Sequence, residues 1–274
     1  MVHLQFPLRT GRLTATVIVA AAVLLVAACA GSGPLAAPPT SPAPTATPTP
    51  TPSETPTADP TPTPTSDPAF ITILRPEDSA TVRIPIAFDG TSNTFEAALT
   101  VDAVNEAGDQ LCVRHLTATS GSGTPGTWQT LLAFAPESES ARPIILRAYE
   151  LSPKDGSRIN LVERPVTLSP TRPAITLTSP ACGDTVAAGG VLSVSGVATV
   201  FEAQLTVELR DARGTVVFTR YLMTEEGGVE SLFGEFVTLP SGLTAGFYDL
   251  VAFNTSMKDG SVQNEFAVQI TVQS

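Results

Sequence analysis

Along Gln204–Arg210, apolar and polar side chains alternate: Leu205, Val207 and Leu209 are separated by Gln204, Thr206, Glu208 and Arg210. A period of two is that of a strand with one buried face and one open face. Beyond residue 70, each half of the chain holds about seven such segments, divided by turns that contain Gly, Pro or Asp. No stretch keeps a 3.6-residue apolar period, so the pattern predicts strands and no sustained helix.

The strand pattern is written twice. Phe95-Glu96-Ala97 recurs as Phe201-Glu202-Ala203, and Leu99-Thr100-Val101 as Leu205-Thr206-Val207. Gly108 matches Gly214 at the same spacing, and Lys154-Asp155-Gly156-Ser157 recurs as Lys258-Asp259-Gly260-Ser261. A period near 105 residues predicts two copies of one domain, 70–169 and 173–274. Short strands at this density fit an all-β fold of two tandem immunoglobulin-like β-sandwich domains. The Cys…Trp…Cys spacing of antibody domains is absent, so the core must rest on aliphatic side chains and Phe. Trp128 aligns with Phe233 and is expected in that core.

Composition adds what precedes the repeat. Of 25 prolines, 13 lie between Pro34 and Pro68, among threonine, alanine and serine. Such a segment has little apolar surface to bury and is expected to be a disordered linker. Thr-Pro pairs favour polyproline II, which at full extension carries the folded part roughly 100 Å. Before it, Arg9 and Arg12 precede an apolar run from Leu13 to Ala28, the layout of an export signal. Val26-Ala27-Ala28-Cys29 resembles the bacterial lipobox. That resemblance implies a signal peptide over 1–28, a lipidated Cys29 opening the 29–69 linker, and attachment to the cell membrane.

Net charge is −11, and both halves of the repeat are acidic, which excludes a phosphate-backbone partner such as nucleic acid. His115 is the one histidine after the signal, leaving little for acid–base chemistry near neutral pH. Sequence signatures of hydrolases, zinc proteases and phosphate loops are absent, so no enzyme and no cofactor are expected. Asp155 and Asp259 sit in Asp-Gly turns and lack the further oxygen ligands of a calcium site, so no metal is expected either. Export permits a disulfide. Cys112 and Cys182 nevertheless lie in different halves; Cys112 aligns with Phe218 as a small core residue, and Cys182 beside Gly183 reads as an exposed turn. The expectation is that they stay unbridged.

Each half resembles the Gmad-type domain, the immunoglobulin-like domain of bacterial spore germination. The residues that carry the resemblance are Ile73, Pro76, Gly90, Phe95-Glu96-Ala97 and Asp155-Gly156-Ser157. In the second half they are Leu177, Pro180, Gly196, Phe201-Glu202-Ala203 and Asp259-Gly260-Ser261. The resemblance implies a non-enzymatic module outside the membrane. The family's usual GerMN companion is missing from this chain, so the resemblance implies no germination role.

Four side chains are candidates for interaction or structure. Glu96 and Glu202 are expected on an outer sheet face, between the inward-facing Phe95 and Ala97 and between Phe201 and Ala203. There each meets a ligand or cation, or accepts hydrogen bonds from a neighbouring loop. Repetition in both copies fits the second role better. Tyr149 and Phe253 alternate with Leu146 and Ala148, or Leu250 and Ala252, and are expected as exposed outer-face aromatics. The functional expectation is a lipid-anchored envelope protein whose domains bind an envelope protein or take part in assembly. The alternatives are a carbohydrate or cell-wall module using Tyr149 and Phe253, or a spacer without a ligand.

Overall fold

The computed structural model describes residues 68–136 and 138–274. The signal segment, Cys29 and the Pro/Thr-rich stretch to residue 67 lie outside the described residues. The first sandwich comprises β1 (Phe70–Arg75), β2 (Thr81–Val82), β3 (Ile86–Asn93), β4 (Ala98–Asn105), β5 (Gln110–Thr117), β6 (Gly126–Leu132), β7 (Arg142–Leu151) and β8 (Arg158–Leu168). The second comprises β9 (Ile175–Ser179), β10 (Thr185–Ala187), β11 (Val191–Ala198), β12 (Gln204–Arg210), β13 (Val216–Met223), β14 (Ser231–Thr238), β15 (Gly246–Thr255) and β16 (Val262–Gln273). Both belong to one compact unit.

Each sandwich faces a three-stranded sheet against a five-stranded one. The orders are β1-β3-β6 with β2-β8-β7-β4-β5, and β9-β11-β14 with β10-β16-β15-β12-β13. Pairing is antiparallel except where the short β2 and β10 run parallel to β8 and β16. Equivalent strands hold equivalent registers: Thr100 faces His115 as Thr206 faces Tyr221, and Ile145 faces Pro165 as Asp249 faces Gln269.

The cores are built as the alternation predicts, with Leu99, Val101, Leu146 and Ala148 inside the first and Leu205, Val207, Leu250 and Ala252 inside the second. Trp128 is buried edge-on against Phe88, with ring centroids 5.1 Å apart. It crosses Gly90, where any Cβ would collide with Thr72 O and with the indole itself. Gly196 sits in the same way beneath Phe233, against Thr176 O. A glycine at this point of the pattern is thus required by the neighbouring strand's carbonyl, which lies closest, together with the aromatic that crosses it.

The Phe-Glu-Ala segments depart from the expected strand. Phe95–Ala97 is a single 3-10 turn in which Glu96 (φ 53°) and Ala97 (φ 59°) take the left-handed conformation. Three contacts fix it: Phe95 N–H donates to Glu150 Oε1 (3.0 Å), Glu96 N–H to Ser122 Oγ (2.9 Å) and Ala97 N–H to Thr94 O (3.2 Å). The turn interrupts the alternation, so Phe95 and Phe201 point outward, 57% and 82% exposed, while the strand phase begins again at Leu99 and Leu205.

Candidate functional site

β5 is the edge strand of the first five-stranded sheet, so its outward N–H and C=O groups need partners. The second sandwich supplies them. His115 N–H donates to Gln269 Oε1 at 2.6 Å, and Gln269 Nε2 donates back to His115 O at 3.2 Å. One carboxamide therefore does the work of a neighbouring peptide group. Beside it the His115 ring stacks on Phe247 at 4.2 Å between centroids and 17° between planes. Burial at this seam pushes the His115 imidazole below its ordinary value.

Two further links close the seam. Arg114, largely buried, donates Nη2 to Asp249 Oδ1 at 2.7 Å. Cys112 and Cys182 form a disulfide, with Cα atoms 4.8 Å apart. The expectation of two unbridged cysteines is corrected here. It rested on their lying in different halves, but the turn ahead of β10 lies against β5 and brings them together. Cys182 is accordingly buried and not exposed. Gly183 beside it (φ 95°) would place a Cβ 2.5 Å from Val113 Cγ1, so the close approach requires glycine.

The seam borders a cleft of about 750 Å³ whose first-sandwich wall includes Phe95, Glu96, Thr100, His115 and Glu150. The equivalent place on the second sandwich is a groove of about 420 Å³ lined by Phe201, Glu202, Thr206, Tyr221, Asn254 and Met257. The two places differ in cover. Phe247 lies over His115, whereas Tyr221 is 65% exposed and no described strand pairs with the outer edge of β13.

Glu96 and Glu202 both lie at these grooves, with exposed side chains. The loop-fixing carboxylate foreseen at Glu96 is found at Glu150, which sequence reasoning missed. Besides Phe95 N–H, buried Glu150 accepts Asn160 Nδ2 at 3.1 Å through Oε2. Its counterpart Asn254 accepts Asn264 Nδ2 at 2.8 Å, so the position is polar in both copies.

Tyr149 and Phe253 occupy the outer sheet face, but both are buried, which corrects the expected exposure. Arginines roof the rings: Arg158 lies 4.8 Å from the Tyr149 centroid and Arg210 5.8 Å from that of Phe253. Beneath Arg158, fully buried Asp102 takes a two-pronged bond from Arg147 (2.7 Å each) and one from Tyr149 OH (3.2 Å). Burial, followed by the Asp102 charge, pushes the Tyr149 phenol up. Asp155 and Asp259 bind their own turns, accepting Ser157 Oγ at 2.7 Å and Ser261 Oγ at 2.8 Å, which holds both carboxyls below their ordinary value.

No curated protein matches this sequence. Among solved structures, similarity extends to the tetra-tandem repeat in the extending region of a large adhesion protein, at 14% identity and TM-score 0.25. That match covers 74% of this chain and 48% of the other. The fibronectin(III)-like modules of Clostridium thermocellum CbhA match at 12% identity and TM-score 0.23, covering 74% and 94%. The ICAM-5 D1–D4 ectodomain fragment matches at 14% and TM-score 0.26, covering 74% and 53%. This chain thus spans about half the length of the adhesion-protein and ICAM-5 chains. The immunoglobulin-like domain of bacterial spore germination, Gmad2, matches residues 70–157 and again 174–261. With more than half of its length matched in two consecutive copies, the chain belongs to the Gmad2 family of immunoglobulin-like domains.

Proposed function

We propose that this is a non-enzymatic, lipid-anchored cell-envelope protein that presents two rigidly joined immunoglobulin-like domains for protein–protein interaction or assembly. The observation that carries the reading is the asymmetry of the two edges. The first is closed by a disulfide, an ion pair, a stacked ring and a carboxamide bridge, and the second displays exposed Phe201, Tyr221 and Met223 beside the outer edge of β13, with which no described strand pairs. An acidic surface favours protein over polyanionic glycan as the ligand. Burial of Tyr149 and Phe253 under arginines weighs against the carbohydrate alternative at those two aromatics.

The anchor rests on Val26-Ala27-Ala28-Cys29 at the end of the apolar run. Mass spectrometry of the mature N-terminus tests it: a chain beginning at Cys29 with added acyl mass supports the anchor, and an unmodified N-terminus elsewhere refutes it. The interaction reading is tested by cross-linking and pull-down from the cell envelope. Captured protein that is lost with Phe201→Ala/Tyr221→Ala supports it. Purified domains that retain a defined wall polysaccharide and no protein contradict it.

A further inference from the structure

The internal seam joins two unlike faces. One is the edge and groove of the first sandwich, centred on His115; the other is the β15–β16 face of the second, with Phe247, Asp249 and Gln269. Each sandwich, as a copy of the other, owns both kinds of face. The seam uses one from each and leaves one from each unpaired among the described residues. The unused face on the first sandwich carries Pro143, Ile145 and Pro165 beside the Arg147–Glu163 pair, and the unused groove on the second carries Phe201, Tyr221 and Met257 beside Glu202 and Thr206.

We propose that a second copy of this chain seats the β7–β8 face of its first sandwich on this open groove, repeating the internal seam head to tail. The inference rests on the protein-interaction reading above and names the partner. By register, Pro143 of the incoming copy takes the place of Phe247 and lies over the Tyr221 ring, which stands where His115 does. Ile145 takes the place of Asp249. That exchange leaves no cation stranded, because Arg220, the counterpart of Arg114, is bound within its own sandwich, Nε to Glu235 Oε1 at 3.0 Å. Pro143 and Ile145 thus meet a groove in which apolar Phe201, Tyr221 and Met257 alternate with polar Glu202, Gln204 and Thr206, and Arg220, the charged residue of β13, is already paired.

The external joint lacks the locks of the internal one. Phe218 replaces Cys112, Asp78 replaces Cys182 and Pro165 replaces Gln269, so the disulfide and the carboxamide bridge are both lost. The association is therefore reversible where the seam is permanent. A head-to-tail contact between unlike faces leaves a free face at each end of a dimer, so further copies add to it in a chain or, where the rotation closes, a ring. Both partners are acidic, so salt that screens their repulsion strengthens the association.

The test transplants the internal disulfide. The full chain carrying Asp78→Cys and Phe218→Cys together, purified in detergent and oxidised, is run without reductant beside the unsubstituted chain. The expected result is a ladder of dimers, trimers and longer species, absent from the unsubstituted chain and collapsed by reductant. A mixture of the two single variants should stop at the dimer, and adding Tyr221→Glu, a further negative charge against an acidic partner, should reduce the ladder about tenfold or more. A double variant that stays monomeric, or Phe218→Cys alone dimerising equally well, overturns the proposal. Because Phe218 is half-buried, light scattering of the unsubstituted chain gives a second measure. Mass that rises with concentration and salt and falls with Pro143→Glu supports it; constant monomer mass overturns it. Capture of a different envelope protein alongside constant monomer mass overturns self-docking while leaving the interaction reading in place.

Discussion

The side chain of Gln269 closes on both main-chain groups of His115, accepting from its N–H at 2.6 Å and donating to its C=O at 3.2 Å. A carboxamide carries the same donor and acceptor as a peptide group, so a single residue ends a sheet that would otherwise stay open. The second sandwich thereby caps the edge strand of the first. Among the described residues nothing equivalent caps Tyr221.

Removal of the cross-link tests how much of this seam is covalent. The disulfide joins residues 70 positions apart, and loss of such a bridge costs about 2–4 kcal/mol. Cys112→Ala/Cys182→Ala should unfold at correspondingly lower denaturant with both sandwiches still formed. Equal midpoints with and without reductant would show that the bridge constrains nothing.

Asp249→Ala removes the partner of a largely buried cation. Arg114 has a side chain only 9% exposed, and leaving it unpaired should cost about 1–3 kcal/mol. The matched control is Arg114→Met/Asp249→Ala, which removes both charges and should recover part of the loss. A double variant no more stable than Asp249→Ala would contradict the pairing.

The seam also responds to acid. His115 has a native pKa below its ordinary value of 6.5, because burial disfavours the charged ring. The unfolded chain then binds a proton more readily than the native one, so stability is complete above about pH 6.5 and declines as pH falls below it. Thermal unfolding between pH 7.5 and 5 should show this decline, reduced in His115→Phe. A decline of the same size in both proteins would place the sensitive group elsewhere.

Tyr149 provides a test of the outer face. Truncation removes a buried ring and a hydrogen bond to Asp102, so Tyr149→Ala should destabilise by about 3 kcal/mol. Retention on immobilised cell-wall glycan should stay unchanged once folding is accounted for. Specific loss of retention at full stability would restore the carbohydrate reading.

The alternation around Leu205, Val207 and Leu209 and the repeat at 105 residues made the strands and the duplication legible in the sequence. Local period-two patterning fixes which face is buried, and the core residues follow from it. Phe95 was illegible for the opposite reason: Glu150, fifty-five residues away, holds a left-handed turn that local patterning does not encode. The outward phase of Tyr149 was legible and its burial was not, because the roof comes from Arg158 on the neighbouring strand. The seam left a signal in the positions where the copies disagree: Cys112 against Phe218, Cys182 against Asp78 and Gln269 against Pro165. A duplicated scaffold keeps its core in common, so residues peculiar to one copy mark what that copy alone touches.

Amide hydrogen exchange at His115 and Tyr221 tests the central asymmetry most directly, since both occupy the same register on equivalent edge strands. In the dilute chain, the His115 amide, held by Gln269 across the seam, should exchange about a hundredfold or more slowly than the Tyr221 amide at the open edge. Gln269→Ala should bring the His115 rate toward that of Tyr221. Equal protection of the two amides in the unsubstituted chain would contradict the account.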